Sequence, residues 1–366
     1  MVESKEYRSY RQAGVNIERG EECSRIAYEA SQKTFSNQDV EILEPEKLED
    51  GFSGLLKINS ELKGGYIVKN SDGVGSKALV AQRMDRHDTL GYDLVAMLAD
   101  DSVSMGALPV GGTNTIDIHR AEPELIAGLM RGLVEACKVA NLSMVGGEIA
   151  ELPHQVKGYS DPYIWNGDLF GILAEGRRID GSNITPGDSI VGLQSRGIRS
   201  NGLTLARKIC DSSFGEDWHE EPFGQDSNWG EVLLKPSRIC TPAIVDLVGG
   251  YKGRPRADIT GIAHITGGGV FNLKRILPEG MGALLTNLFT PQEEFLELQR
   301  LGPVSDEEAY RTWNMGQCLL IVTPEPEKVE SVLAEFEIPS RSVGEVTDRS
   351  GITCHTRGLD EEKIHL

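Results

Sequence analysis

Asn70-Ser71-Asp72-Gly73-Val74-Gly75-Ser76-Lys77 follows the strand-like run Gly65-Tyr66-Ile67-Val68 and decides how the rest of the chain is read. It joins a carboxylate, two glycines and a lysine at the end of a strand. A polyphosphate site needs these parts. Glycine lets backbone N–H groups approach oxyanions, lysine supplies a compact positive charge, and a carboxylate holds Mg²⁺ against the phosphates. The spacing is not G-x-x-x-x-G-K-[ST], so this is no Walker P-loop. Asp-Gly followed by Gly is also the composition of a hairpin turn, and the segment alone fits both readings.

Two later segments repeat the theme. Leu98-Ala99-Asp100-Asp101-Ser102-Val103 sets paired acids in an apolar run that starts at Asp93. Acids on an apolar helix require a partner or a metal. Met144-Val145-Gly146-Gly147-Glu148-Ile149-Ala150-Glu151-Leu152-Pro153 reads as a short strand, a Gly-Gly turn and then carboxylates. Asp72, Asp101 and Glu148 therefore suit Mg²⁺ shared with substrate phosphates, since that ion takes one or two carboxylates directly and keeps waters. On so acidic a chain they equally suit solvated surface acids.

A second glycine loop, His264-Ile265-Thr266-Gly267-Gly268-Gly269, leads into the apolar run Leu273–Leu277. A triple-glycine turn ahead of a helix aims N–H groups and the positive dipole end at one point, an anion site. His264 is either a polar contact there or a structural hydrogen-bonding residue. Ser195-Arg196-Gly197-Ile198-Arg199-Ser200-Asn201-Gly202 offers two cations and an amide, fit for a phosphate or for a plain loop before a helix.

Among 366 residues, 37 lysines and arginines face 56 acids, a net charge of −19. That balance opposes nonspecific nucleic-acid binding and adhesion to anionic membranes. Six scattered cysteines form no C-x-x-C pair, which argues against zinc and redox motifs. The chain shows no secretory h-region and no run of about 18 apolar residues, so a cytoplasmic enzyme with reduced thiols is expected.

Helices are predicted over Ile17–Phe35, Thr89–Gly106, Glu122–Ala140, Leu203–Cys210, Pro242–Leu247 and Glu325–Phe336. Strands are predicted at Gly65–Lys69, Pro109–Ile118, Leu142–Val145, Tyr163–Ala174, Ser189–Leu193, Cys318–Val322 and Arg341–Val346. Gly51–Leu56 reads as a flexible loop and Phe214–Trp229 as a polar, aromatic insertion. The turn-rich segment 177–188 is the best linker. It divides the chain into an N-terminal domain, 1–176, and a C-terminal domain, 177–366.

These segments, in this order, resemble the aminoimidazole ribonucleotide synthetase family, also called phosphoribosylformylglycinamidine cyclo-ligase. The likeness begins at Tyr10-Arg11-Gln12-Ala13-Gly14-Val15-Asn16-Ile17. It continues through Ser71–Lys77, Arg86–Met97, Val145–Pro153, Arg199–Leu203, His264–Gly269 and Asn314-Met315-Gly316. It implies two α/β domains of α+β type. In that family the N-terminal domain forms a β-barrel shared across a homodimer, and a sandwich-like C-terminal domain completes the cleft, so both are expected here. It also implies ATP and Mg²⁺ with a small-molecule substrate. Asp72, Gly73, Gly75, Lys77, Asp101 and Glu148 fall on ATP positions, with Asp72, Asp101 and Glu148 on the metal. Arg199, Ser200, Asn201, His264, Thr266, Gly267, Gly268 and Gly269 match the substrate side, and Lys77 and His264 would handle charge. The family usually has Asp at Asn16, Asn at Asp100, His at Arg199 and Gly-Met-Tyr at His154-Gln155-Val156; these departures bear on substrate identity.

The resemblance implies ATP-driven ring closure of formylglycinamidine ribonucleotide, a reaction of positioning and charge neutralisation with no protein nucleophile. The alternatives are a related ATP-using enzyme, such as a thiamine monophosphate kinase, and a non-catalytic nucleotide-binding subunit. The family's opening motif speaks against the first, and the retained Asp72, Asp101 and Glu148 against the second.

Overall fold

A computed structural model of the protein describes residues 17–37, 43–46, 55–58 and 65–365. Residues 10–16 of the opening motif and 51–54 lie outside the described residues, while Leu55 and Leu56, expected in the loop, fall in a strand. In chain order the first half contains α1 (Ile17–Gln32), β1 (Leu43–Glu46), β2 (Leu55–Ile58), β3 (Tyr66–Gly73), α2 (Lys77–Arg83), α3 (Leu90–Val103), β4 (Leu108–Ile118), α4 (Pro123–Ala140), β5 (Ser143–Glu151) and β6 (Tyr163–Leu173). β3, β6, β4 and β5 form one open sheet in that order, parallel only between β4 and β5. The parallel pair is bridged by α4, whose Pro123 opens the helix and whose Asn141 ends it in the left-handed conformation. Helix α3 crosses the sheet almost wholly buried: Leu94, Val95, Ala96, Met97, Leu98 and Ala99 are all inaccessible.

The second half holds β7 (Ser189–Gln194), α5 (Leu203–Phe214), β8 (Pro222–Phe223), β9 (Ser227–Asn228), α6 (Trp229–Leu233), α7 (Thr241–Val248) and β10 (Gly261–His264). It continues with β11 (Gly282–Leu285), α8 (Glu293–Leu301), α9 (Asp306–Thr312), β12 (Gln317–Thr323), α10 (Pro326–Glu335), β13 (Ser340–Thr347), β14 (Gly351–His355) and β15 (Lys363–His365). A mixed seven-stranded sheet runs β10-β12-β7-β13-β11-β14-β15. Strand β12, between β10 and β7, is buried at every residue, as a strand covered on both faces must be. The architecture is thus mixed α/β in two parts, and among the described residues neither sheet closes into a barrel.

Several expectations change. Gly146 and Gly147 are not a turn but lie inside β5, where a Cβ on Gly147 would come within 2.6 Å of the Asn114 carbonyl oxygen. Residues 214–229 are not a loose insertion. They form a 3₁₀ turn and a short hairpin, with Trp218 and Trp229 buried. The helix after Gly267–Gly269 is a 3₁₀ segment, Gly269–Arg275. All six cysteines are buried and unbonded, and the sulfurs of Cys240 and Cys318 touch at 3.4 Å.

Helices α3 and α4 approach through Gly91 and Gly132: a Cβ on Gly91 would lie 2.3 Å from the Gly132 carbonyl carbon. Gly91→Ala therefore forces the helices apart. It is expected to destabilise the protein by about 1–3 kcal/mol in urea unfolding, as overpacking does.

Candidate active-site cleft

The cleft forms where the two halves meet. β3 delivers Asp72 to its last turn of chain. The register of Asp72 with Gly167, whose Cβ would touch Leu94 and Leu98, places the carboxylate on the α3 face of the sheet. Asp72 Oδ1 accepts from the Gly73 amide at 2.6 Å. The residue is exposed, yet the cleft walls crowd its carboxyl group. That desolvation, with repulsion from Asp101, holds it above the usual carboxylate range against the pull of the Gly73 amide.

Asp100 and Asp101 divide their tasks as neighbours on a helix do. Asp100 is inaccessible and accepts from Arg199 Nη2 at 3.2 Å, Cys240 N at 3.0 Å and Thr241 Oγ1 at 2.9 Å. Asp101 keeps its side chain 40% exposed and binds His264 Nδ1 at 2.6 Å. Nε2 of His264 is buried and makes no hydrogen bond within the described chain.

His264 ends β10, and the following turn is pinned by Asn272, whose amide donates to the His264 carbonyl and to Thr266 Oγ1. Gly268 and Gly269 have φ of +104° and +58°. At Gly269 a Cβ would sit 1.8 Å from the Tyr310 carbonyl oxygen, so only glycine fits. Asn201 reaches this turn, its Oδ1 lying 3.3 Å from where a Cβ of Gly267 would be, and its amide contacts Met97 Sδ at 3.6 Å. Asn314 donates to the carbonyls of Gly197 and Ile198 and so fixes the 195–202 loop. Ser76 Oγ meets Thr204 Oγ1 at 3.2 Å, joining the Asp72–Lys77 loop to the start of α5. A cavity of about 580 Å³ opens there, lined by Ser76, Ser200, Asn201, Thr204 and Lys208.

Asp72, Asp101, His264, Asn201 and the glycine turn therefore share one cleft, but three expected residues stand elsewhere. Lys77 is inaccessible and turned into the core. Its ammonium bonds Asp93 Oδ1 at 2.7 Å and the Lys235 carbonyl, and burial lowers its pKa against the pull of Asp93. Arg199 is 1% exposed and spends its guanidinium on Asp100 and the Cys318 carbonyl. Glu148 lies three strands from β3, in register with Thr115, Asn166 and Gly73, on the sheet face opposite Asp72. No group of three or more potential metal-ligating residues occurs among the described residues. The sequence reading missed Asp93, Thr241 and Asn272. The seven-residue spacing from Asp93 to Asp100, two helical turns on one face, was the available signal for the first.

The profile of the AIR synthase related protein N-terminal domain matches residues 54–173, and that of its C-terminal domain matches residues 185–356. The phosphoribosylformylglycinamidine cyclo-ligase of Desulfotalea psychrophila is 36% identical over 90% of this chain and 89% of its own. That of Pyrococcus furiosus is 33% identical over 96% and 98%. Among solved structures, thiamine-monophosphate kinase from Stenotrophomonas maltophilia superimposes with a TM-score of 0.63 at 14% identity, covering 92% of this chain and 96% of that one. E. coli HypE, a hydrogenase maturation protein, gives 0.64 at 16%, covering 93% and 96%. At such identities these two share the fold.

The raised Asp72 carboxyl yields a stability prediction. A folded-state pKa above the unfolded value makes ionisation oppose folding. This cost is absent below about pH 3.9, the unfolded value, and grows as pH rises through the folded one. Asp72→Asn should therefore raise the melting temperature at pH 7 and leave it nearly unchanged at pH 3.5. With its domain profiles spanning both halves and cyclo-ligase relatives matched over nearly their full length, the chain belongs to the AIR synthase related family, among the phosphoribosylformylglycinamidine cyclo-ligases.

Proposed function

We propose that the cleft carries out the ATP-dependent cyclisation of formylglycinamidine ribonucleotide to aminoimidazole ribonucleotide, releasing ADP and phosphate. The observation that carries the reading is the convergence of Asp72, Asp101–His264, Asn201 and the Gly267–Gly269 turn at one junction. ATP phosphorylates the formamide oxygen, the amidine nitrogen attacks the activated carbon, and phosphate leaves. This chemistry asks the protein for orientation and charge compensation. The glycine turn and Asn201 orient substrate groups, with His264 held beside them by Asp101. Residues 1–176 supply the nucleotide side and 177–366 the remaining wall.

The donor set fits Mg²⁺. Asp72 and Asp101 each commit one oxygen within the chain and repel one another, so a shared cation relieves both. Bound there, the ion would neutralise phosphate charge. Glu148 faces away from this pair, on a sheet face where Ile67 is 74% and Ile164 49% exposed. An open sheet with exposed apolar residues invites pairing. A homodimer joined through this face would cover them and bury Glu148 at the interface, with upwards of ~2,000 Å² buried. No described helix is long and apolar enough to cross a membrane, and a cytoplasmic location is part of the proposal.

The purified chain with ATP, Mg²⁺ and formylglycinamidine ribonucleotide should form one phosphate per ring. ATP turnover with thiamine monophosphate and none with the amidine would overturn the assignment. Asp101→Asn should slow turnover on the order of 10²-fold. Light scattering should give a mass near twice 40.0 kDa, reduced to one chain by Ile67→Asp.

A further inference from the structure

Asp100 and Arg199 bring opposite charges from the two halves into a pocket that excludes water, with exposures of 0% and 1%. Asp100 takes three donors, whereas Arg199 makes two bonds, to Asp100 and to the Cys318 carbonyl at 3.2 Å, and its Nε is buried with no partner among the described residues. Arg199 also holds φ at +65°, a left-handed conformation that a bulky residue keeps only when its surroundings impose it. The next residue after each partner faces the cleft: Asp101 meets His264, and Ser200 and Asn201 line the cavity. The ion pair thus stands one residue behind both walls.

We propose that the Asp100–Arg199 pair is a positioning device that fixes Asp101 against the Ser200–Asn201 loop, with Arg199 acting through these neighbours and touching no substrate. The proposal rests on the cleft being the site of ring closure. Removing either charge leaves the other buried and unpaired, whereas removing both restores neutrality, so the two positions behave as one unit. Arginine is required over lysine because one planar fork must reach Asp100 and the Cys318 carbonyl together.

The test is a double-mutant cycle in the full chain: Asp100→Asn, Arg199→Met, both together, and Arg199→Lys. Melting temperature, kcat and the KM for formylglycinamidine ribonucleotide are read for each. Each single neutralisation should lower kcat on the order of 10²-fold, the usual cost of a displaced catalytic group, with KM little changed. The double variant should melt above both singles and recover about tenfold or more in kcat over the poorer one. Arg199→Lys should fall between wild type and Arg199→Met. A KM rise at constant kcat in Arg199→Met, with additive losses in the double, would mean that Arg199 grips the substrate directly and would sink the proposal. If the singles fail to fold, a folded, active double supports the pair, and a double that also fails refutes it. If the wild type forms no aminoimidazole ribonucleotide, the functional reading fails and melting decides the pair alone: recovery in the double keeps it, additivity removes it.

Discussion

Helix α3 is the member on which the rest depends, and its two buried carboxylates are what fix it. Asp93 and Asp100 lie on one face, and both are fully inaccessible. Asp93 receives Lys77 and Ser237, while Asp100 receives Arg199, Cys240 and Thr241. The segment between Lys235 and Thr241 thus runs along the helix with a polar anchor at each end. An apolar seam alone would let the halves slide or rotate. Charges that lose water on burial tolerate few geometries, because an unpaired one costs several kcal/mol.

This seam explains the form of the cleft. Every wall is attached to it within a residue or two: Asp101 beside Asp100, Ser200 beside Arg199, and the Asp72–Ser76 loop immediately before Lys77. His264 closes the ring through Asp101 from the second sheet. Charge is therefore layered, with buried pairs behind and the more exposed carboxylates of Asp72 and Asp101 in front.

Much of the architecture was legible in the sequence because periodicity reports elements well. Helices α3, α4 and α10 and strands β4, β7, β12 and β13 lie within a few residues of their expected spans. The short strands β10, β11, β14 and β15 were missed, since three to five residues carry too little pattern against the background of loops. Gly146-Gly147 misled because local sequence cannot distinguish a glycine that turns from one that lets a neighbouring strand approach. The cleft residues Asp72, Asp101, Asn201 and His264 were legible as types. Lys77 and Arg199 were misplaced for one reason: a motif gives residue identity and spacing but not the direction of a long side chain. Their acceptors come from an adjacent helix, a distant carbonyl and another strand.

The six buried thiols add a different consequence. Burial pushes Cys23 up to about 11 and both Cys210 and Cys354 up to about 12, so in the folded chain these are poor nucleophiles shielded from reagent. Alkylation then requires an opening event, and each cysteine times the opening of its own neighbourhood. Cys137 marks the first core, Cys354 the far sheet, and Cys240 with Cys318 the seam itself. The chain carries its own set of chemical clocks, without any engineered label.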